Sequence, residues 1–306
     1  MRLFADIQSL SPSECVWGVT LLNGDLYVLW EDNRLDVYST TEDCSLLGHI
    51  TVPGLRRYDA HDMTSCQRQR RLYISDSGKH CIHAVTPKDR SVCKWKVPSE
   101  PCGLSVTPGG NLLVVCRGET DSIVELAIEG GSLTMHEIKL PLSDIYWPFQ
   151  AVQLSAGQYV VCHRGEETGL SLVDRGGRVV AADDTGLLCP CHVTIDRDNE
   201  LIFAIDHDNH RVVMLNRSLQ FVCEVLAVTL PHRLCLDHVT RRLYVGHGRD
   251  VTVVQLADRV WVTHLAVDQH WLSSCFDQKK TTNTRPIVNT SCKNKEKVNR
   301  QHELTT

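Results

Sequence analysis

One phrase recurs along the chain: a short apolar run, a polar turn, then Leu-Tyr-Val or its equivalent. It stands at Leu26-Tyr27-Val28, Leu72-Tyr73-Ile74, Leu112-Leu113-Val114, Gln158-Tyr159-Val160, Leu201-Ile202-Phe203 and Leu243-Tyr244-Val245. The steps between copies are 46, 40, 46, 43 and 42 residues. A nearly constant period in this range marks propellers and solenoids, whose units cannot bury their apolar faces alone.

Within each copy the signals are those of strands. The first segment alternates and ends in a tight turn, with Asn23-Gly24 and Gly109-Gly110 supplying the positive φ that a hairpin requires. A third segment follows each central strand, at Arg34–Tyr38, His80–Val85, Ser122–Leu126, Leu170–Val173, Arg211–Leu215 and Val251–Val254. A fourth stands at Leu46–Ile50, Val92–Val97, His136–Leu140, Arg178–Ala181, Phe221–Leu226 and Val260–Leu265. No segment sustains a 3.6-residue period, which disfavours a βα repeat. Four strands in each of six copies give an all-β fold, a six-bladed β-propeller of four-stranded antiparallel blades. Leu3–Ile7 competes with Val260–Leu265 for the outermost place in the last blade, and the sequence does not choose between them. The expected organisation is a lead-in strand over 1–14, a propeller over 15–266 and a polar tail over 267–306. That tail is rich in Thr, Asn and Lys, carries a charge of +3 and is expected to stay disordered.

The chain of 306 residues has 42% hydrophobic and 23% charged residues and a mean hydropathy of -0.17. No stretch approaches the roughly 18 apolar residues of a membrane span. The opening Met1–Asp6 has no long apolar run, so no secretory signal is expected. The formal net charge of -5 argues against a general phosphate-binding surface. Most of the 14 cysteines sit inside apolar runs such as Leu113–Cys116, Val160–Cys162 and Phe221–Cys223. They read as reduced core residues of a cytoplasmic protein, although glycosylation-type triplets at Asn216 and Asn289 point the other way. The one close pair, Cys189-Pro190-Cys191-His192, reads as the opening of a strand. Structural zinc modules need two ligand pairs at short spacing, so a RING or B-box domain is not expected, nor a metal or cofactor.

The copy over 190–226 runs Pro190-Cys-His192, Asp196, Asp206 and Asn209-His210-Arg211. It closely resembles the NHL repeat, whose pattern is a Pro before strand one, an Asp closing it, an Asp ending strand two and Asn-His-Arg opening strand three. Pro101, Gly103, Pro231, Asp237 and Ser75-Asp76 match that pattern more loosely, Gly246-His247-Gly248 departs from it, and the likeness covers about 15–265. The matched polar residues read as turn chemistry, with Arg211 expected to cross to a neighbouring turn and pair with a carboxylate there. Neither Asp196–Asn199 nor Asp206–Asn209 has the glycine and distal Glu of a calcium loop. The resemblance implies a protein-interaction platform, similar to the propeller that recruits substrates in tripartite-motif ubiquitin ligases. A chain lacking the catalytic modules of those ligases would act as an adaptor.

No Gly-x-Ser-x-Gly, phosphate-cradling loop or His-Glu-x-x-His is present, so the chain is expected not to be an enzyme. Binding is expected in loops leading into strand one and between strands two and three. The candidates are Trp17, Arg56, Arg57, Tyr58, Tyr146, Trp147, Phe149, His192, His232 and Arg233, with Asp144–Phe149 the best single cluster. The expected partner is a protein, and no membrane is involved. Single-stranded RNA is an alternative partner, with Arg56-Arg57, Arg68–Arg71 and Arg241-Arg242 the only basic clusters. A calcium-dependent lactonase-like propeller is a further alternative. Glu14 has a suitable place for that chemistry, but Gly103, His192 and Arg233 stand where oxygen ligands would be needed.

Overall fold

A computed structural model describes residues 2–8, 15–129, 132–140, 145–155, 157–164 and 168–256. They form six four-stranded antiparallel sheets. Blade 1 is β2 (Val16–Leu22), β3 (Asp25–Trp30), β4 (Leu35–Tyr38) and β5 (Leu46–Ile50). Blade 2 is β6 (Ala60–Cys66), β7 (Arg71–Asp76), β8 (Cys81–Thr86) and β9 (Ser91–Lys96). Blade 3 is β10 (Glu100–Val106), β11 (Leu112–Arg117), β12 (Ser122–Glu129) and β13 (Ser132–Lys139). Blade 4 is β14 (Pro148–Ser155), β15 (Gln158–His163), β16 (Gly169–Asp174) and β17 (Val179–Ala182). Blade 5 is β18 (Val193–Asp196), β19 (Leu201–Asp206), β20 (Arg211–Asn216) and β21 (Phe221–Ala227). Blade 6 takes β22 (Pro231–Asp237), β23 (Arg242–His247) and β24 (Asp250–Gln255) from one end of the propeller and β1 (Arg2–Gln8) from the other.

The contest for the outermost place in blade 6 is therefore decided. β1 pairs antiparallel with β24, from Arg2 opposite Gln255 to Gln8 opposite Asp250. The competing segment, Val260–Leu265, lies outside the described residues, as does the tail over 267–306.

The repeat period becomes a ring because each blade is apolar on both faces. The second strand of every blade is buried almost throughout, as in β3, β7, β15 and β19, whereas the fourth strand alternates toward solvent, as in β9 and β17. A strand covered on both sides reads as continuous hydrophobic sequence, and this is why the Leu-Tyr-Val phrase is the strongest signal. The buried residues fall into six clusters, each made by two neighbouring blades. One of the six joins Ile7, Val251 and Tyr244 of blade 6 to Val16 and Val28 of blade 1. An open row of six sheets would have five such interfaces, so the sixth closes the circle. The innermost strands touch in turn around the axis, and β22 meets β2 again.

Close approach at the axis is exacting in one place. A Cβ at Gly103 would lie 2.1 Å from the carbonyl oxygen of Phe149 and 2.6 Å from Gln150 Cα, both backbone atoms. Blades 3 and 4 can meet there only because glycine has no side chain. Among the described residues the sole helical element is a single 3-10 turn at Ser77–Lys79, and no helix is long and apolar enough to cross a membrane.

Candidate binding site at the mouth of the hub

Strands alternate in direction within each blade, so the loops into strand one and those between strands two and three share one face, the top. The innermost strand breaks register there in five blades: between Val16 and Gly18, Ala60 and Met63, Pro101 and Leu104, Pro148 and Gln150, and Pro231 and Arg233. The residues left out of the ladder include Trp17, His61, Asp62, Phe149 and His232. A bulge bends a strand and re-aims side chains, and here it does so repeatedly at the top of the axis. In blade 5 the same place is taken by Cys189–His192, immediately before β18.

Four polar side chains from four blades meet inside this mouth. The Arg233 guanidinium donates from Nε to the Trp17 carbonyl at 2.8 Å and from Nη1 to the His232 carbonyl at 2.8 Å; Nη2 donates to the His61 carbonyl. Its Nε also lies 3.2 Å from Asp62 Oδ1. Asp62 accepts the Leu104 N–H at 2.8 Å on its other oxygen, which ties blade 2 to blade 3. Gln150 donates to the Leu104 carbonyl at 3.2 Å and accepts the Val193 N–H at 2.7 Å. His192 Nε2 lies 2.9 Å from Gln150 Nε2 and 3.7 Å from Asp62 Oδ1, and its Nδ1 accepts the Leu234 N–H at 3.3 Å. Arg233 thus links blades 6, 1 and 2, and Asp62, Gln150 and His192 complete the circuit through blades 3, 4 and 5.

Burial pushes the Asp62 carboxyl up, but Arg233, His192 and the Leu104 N–H together outweigh it and hold the group below its ordinary value. Burial, with Arg233 and Arg117 nearby, brings His61 down to about 3. Burial, with Arg233 and His207 nearby, does the same to His232. His192 is lowered by burial against the opposing pull of Asp62. These imidazoles are neutral in the folded state, whereas the unfolded chain takes up protons near pH 6.5. Between about pH 6.5 and 3 the unfolded state therefore binds more protons, and stability falls as the pH drops through that window. Asp62 adds to the loss once the pH falls through its own lowered value. The unfolding free energy from urea titrations is expected to change little above pH 7 and to decline from about pH 6.5 to pH 5, by up to about 1.4 kcal/mol per pH unit for each such imidazole. A flat profile over that range would contradict the assignment.

The hub does not suit a calcium ion. Calcium takes six to eight oxygens, whereas this ring offers one carboxylate, one amide, one imidazole and a fixed guanidinium charge beside the carboxylate. Glu14 lies outside the described residues. Below the ring the channel holds a cavity of about 210 Å³ lined by Thr20, Ser105, Val152, Ile195 and Leu236 among others. Ligand pockets usually measure roughly 300–1,000 Å³, so this one is small for an organic ligand.

The exposed chemistry sits around the mouth. Tyr146 and Trp147 stack with ring centroids 5.9 Å apart and are 54% and 42% exposed. The Arg117 guanidinium lies over Trp147 at 5.7 Å and is held by Glu100 at 2.9 Å. Its Nη2 is 3.4 Å from His61 Nε2, and the His61 ring meets Trp17 edge-on at 6.3 Å. Tyr146, Trp147, Arg117, His61 and Trp17 thus make a continuous aromatic and cationic strip across blades 4, 3, 2 and 1. Arg57 covers the exposed ring of Tyr58 at 5.0 Å in the loop into blade 2, where Arg56 also lies.

Of the expected site residues, Trp17, Tyr146 and Trp147 join this strip, and Arg56, Arg57 and Tyr58 stand on the same face. His192 and Arg233 lie inside the hub, 6% and 9% exposed. Phe149 packs partly against a core cluster, and Asp144 lies outside the described residues. His61, Asp62, Arg117 and Gln150 were not foreseen. Three of them, His61, Asp62 and Gln150, stand eight to eleven residues before the central-strand phrase of their blades, as Trp17, His192 and Arg233 do. Aligning that column across the six copies would have exposed the hub set. Trp147, Cys189 and Leu230 all adopt positive φ, of 51°, 53° and 50°, immediately before a proline. The repetition makes this backbone part of the architecture and not a mark of function at Trp147.

On the opposite face, Arg68 donates to the Gly109 carbonyl at 2.9 Å, Arg242 to the Thr40 carbonyl at 2.6 Å, and Arg241 pairs with Asp196. These basic residues join neighbouring blades. In blade 5, Asp206 accepts from Asn209 at 2.9 Å, from Arg211 at 2.7 Å and from the Leu188 N–H at 2.7 Å. Turn chemistry is what the structure gives these residues, but Arg211 does not cross to a neighbouring turn for its carboxylate: Asp206 stands opposite it in its own hairpin and is nearer.

Fold and hub together define a six-bladed β-propeller whose axis is plugged at one end by an internal ion pair. No family model matches the chain, and no curated protein matches it. Solved structures do. The chain is similar to the Kuenenia stuttgartiensis hydrazine synthase, at 13% identity and a TM-score of 0.58, with 83% of this chain and 98% of that one covered. It is similar to a gluconolactonase from Xanthomonas campestris, at 12% identity and a TM-score of 0.63, with 80% and 87% covered. It is similar also to a protein of unknown function from Bacteroides caccae, at 15% identity and a TM-score of 0.55, with 77% and 82% covered. At these identities the likeness is one of fold.

Proposed function

We propose that the chain is a non-catalytic, NHL-like propeller that binds a protein partner on its top face, as an adaptor linked to ubiquitination. The observation that carries the binding reading is the exposed, stacked Tyr146–Trp147 pair with Arg117 laid against it, continued to Trp17. Large aromatics and arginine dominate interface hot spots because they bury much area and still donate hydrogen bonds. The ring of blades holds them in fixed relative positions, which lowers the ordering cost of association. An enzymatic reading drawn from the gluconolactonase is disfavoured by Arg233, whose charge stands at the axis beside the one hub carboxylate. RNA binding is disfavoured because Arg68, Arg241 and Arg242 are engaged between blades. A cytoplasmic site of action accords with the cysteines, none of which is in a disulfide among the described residues.

The test compares the proteins labelled by proximity to the full chain with those labelled by Trp147→Ala, followed by affinity measurement on the purified partner. A central aromatic hot spot contributes about 2 kcal/mol or more, so affinity is expected to fall at least about 30-fold without loss of folding. An unchanged set of partners would remove this face as the binding surface. A salt-dependent gel shift with single-stranded RNA would favour the other reading.

A further inference from the structure

The top face of blade 5 carries a second set of groups that the aromatic strip does not use. Cys189 lies in the loop before β18, and His207 and Asp208 lie in the turn between β19 and β20. One thiol sulfur, one imidazole nitrogen and one carboxylate oxygen of these residues all lie within 4.8 Å of one another. The two loops are fastened together independently of these side chains. Leu188 N–H donates to Asp206 Oδ1 at 2.7 Å, and Asp208 N–H donates to the Leu188 carbonyl at 3.1 Å. Asp206 is itself held by Asn209 and Arg211.

We propose that Cys189, His207 and Asp208 bind a zinc ion on the top face of blade 5, with water in the fourth position. A mixed set of thiolate, imidazole and carboxylate suits zinc, whereas calcium and magnesium favour oxygen alone. Bonds of about 2.0–2.3 Å to a tetrahedral zinc place donor atoms roughly 3.3–3.8 Å apart, so the three need shift little. The far edge of the His207 ring is held from outside the ligand set, with Nε2 3.3 Å from His232 Nε2, which leaves Nδ1, 2.7 Å from Asp208 Oδ1, as the nitrogen for the ion. Such outer contacts orient a ligating imidazole. The Asp208 side chain is 52% exposed, which gives an ion access from solvent. On binding, the Cys189 thiol proton passes to solvent and a sulfur–zinc bond forms, with no change of oxidation state. The two other clusters of metal-ligating type among the described residues already hold a cation: Lys79 stands 3.4 Å from Asp76, beside Cys81 and His83, and Arg241 is paired with Asp196, beside Asp198 and His238. The donors come from two loops eighteen residues apart, which is why no closely spaced ligand pair announced them.

The test titrates the full, reduced, chelator-treated chain with cobalt(II), which reports thiolate coordination by a near-ultraviolet charge-transfer band. The expected result is a band saturating at one equivalent and displaced by zinc. Cys189→Ser and His207→Asn should lose it, Cys93→Ser, at an exposed thiol, should keep it, and Asp208→Asn should bind at least 10-fold more weakly. Circular dichroism without metal establishes that each variant is folded, and Asp208→Asn decides the matter if the others are not. Absence of the band in the unaltered chain, its persistence in Cys189→Ser, or unchanged affinity in Asp208→Asn would overturn the site.

Discussion

Removal of residues 1–8 is expected to destabilise the whole ring, not one edge of it. The deletion takes away the outermost strand of blade 6, with its ladder from Arg2–Gln255 to Gln8–Asp250, and the buried side chain of Ile7. Net contributions of about 0.5–1.5 kcal/mol per hydrogen bond and roughly 1.5–3 kcal/mol for one buried Ile put the loss on the order of 5 kcal/mol. It also bares the edge of β24, a template for pairing between molecules. The measurement is the urea midpoint together with light scattering, and a synthetic peptide of residues 1–10 should restore the midpoint when added in excess. An unchanged midpoint would mean that Val260–Leu265 fills the vacant place, and would sink the assignment of β1 as the closing strand.

Replacement of Arg233 by Ala is expected to be the most damaging single change at the hub. It leaves the Asp62 carboxylate, 1% exposed, without its cation, and it leaves the Trp17, His61 and His232 carbonyls without a shared donor. Breaking a buried pair from one side typically costs about 3–5 kcal/mol, because the remaining charge stays buried. Asp62→Asn made in the Arg233→Ala background should recover part of that loss, since it removes the stranded charge. A drop of less than about 1 kcal/mol for the single substitution, measured by urea denaturation at pH 7.5, would mean that the pair does not hold the axis together.

The blades were legible because the strand buried on both sides writes itself as continuous hydrophobic sequence. Leu-Tyr-Val at 26 and 243 and Leu-Tyr-Ile at 72 mark the second strands of blades 1, 6 and 2, and the segment Leu46–Ile50 is legible to the residue. The hub was less legible, and the reason is physical. A bulge breaks the two-residue alternation on which strand reading rests, so the sequence around Ala60–Met63 does not say that His61 and Asp62 leave the ladder together. Arg233 and His192 were singled out for their chemistry, but a charged residue in an opening loop reads as exposed unless its partners are known, and Asp62 stands 171 positions away. Arg117 escaped notice because it lies at the end of β11, and only the ring brings it against Trp147 of the next blade. Choosing between the two ends of the chain for the last blade depended on a pairing between residues some 250 apart, which no local pattern encodes.

That same pairing has a consequence for how the protein is made. Within the propeller β1 is synthesised first and β24 last, so β1 waits unpaired while every other sheet is made. At about 5–20 residues per second that interval is roughly 12–50 seconds. Throughout it, the flank of blade 1 that will meet blade 6 stays open to water, with Val16 and Val28 uncovered. Because loop closure must precede the reward of contacts so distant in sequence, ring closure is slow and follows synthesis. A nascent propeller of this design has need of a holding chaperone on its first strand until its last is made.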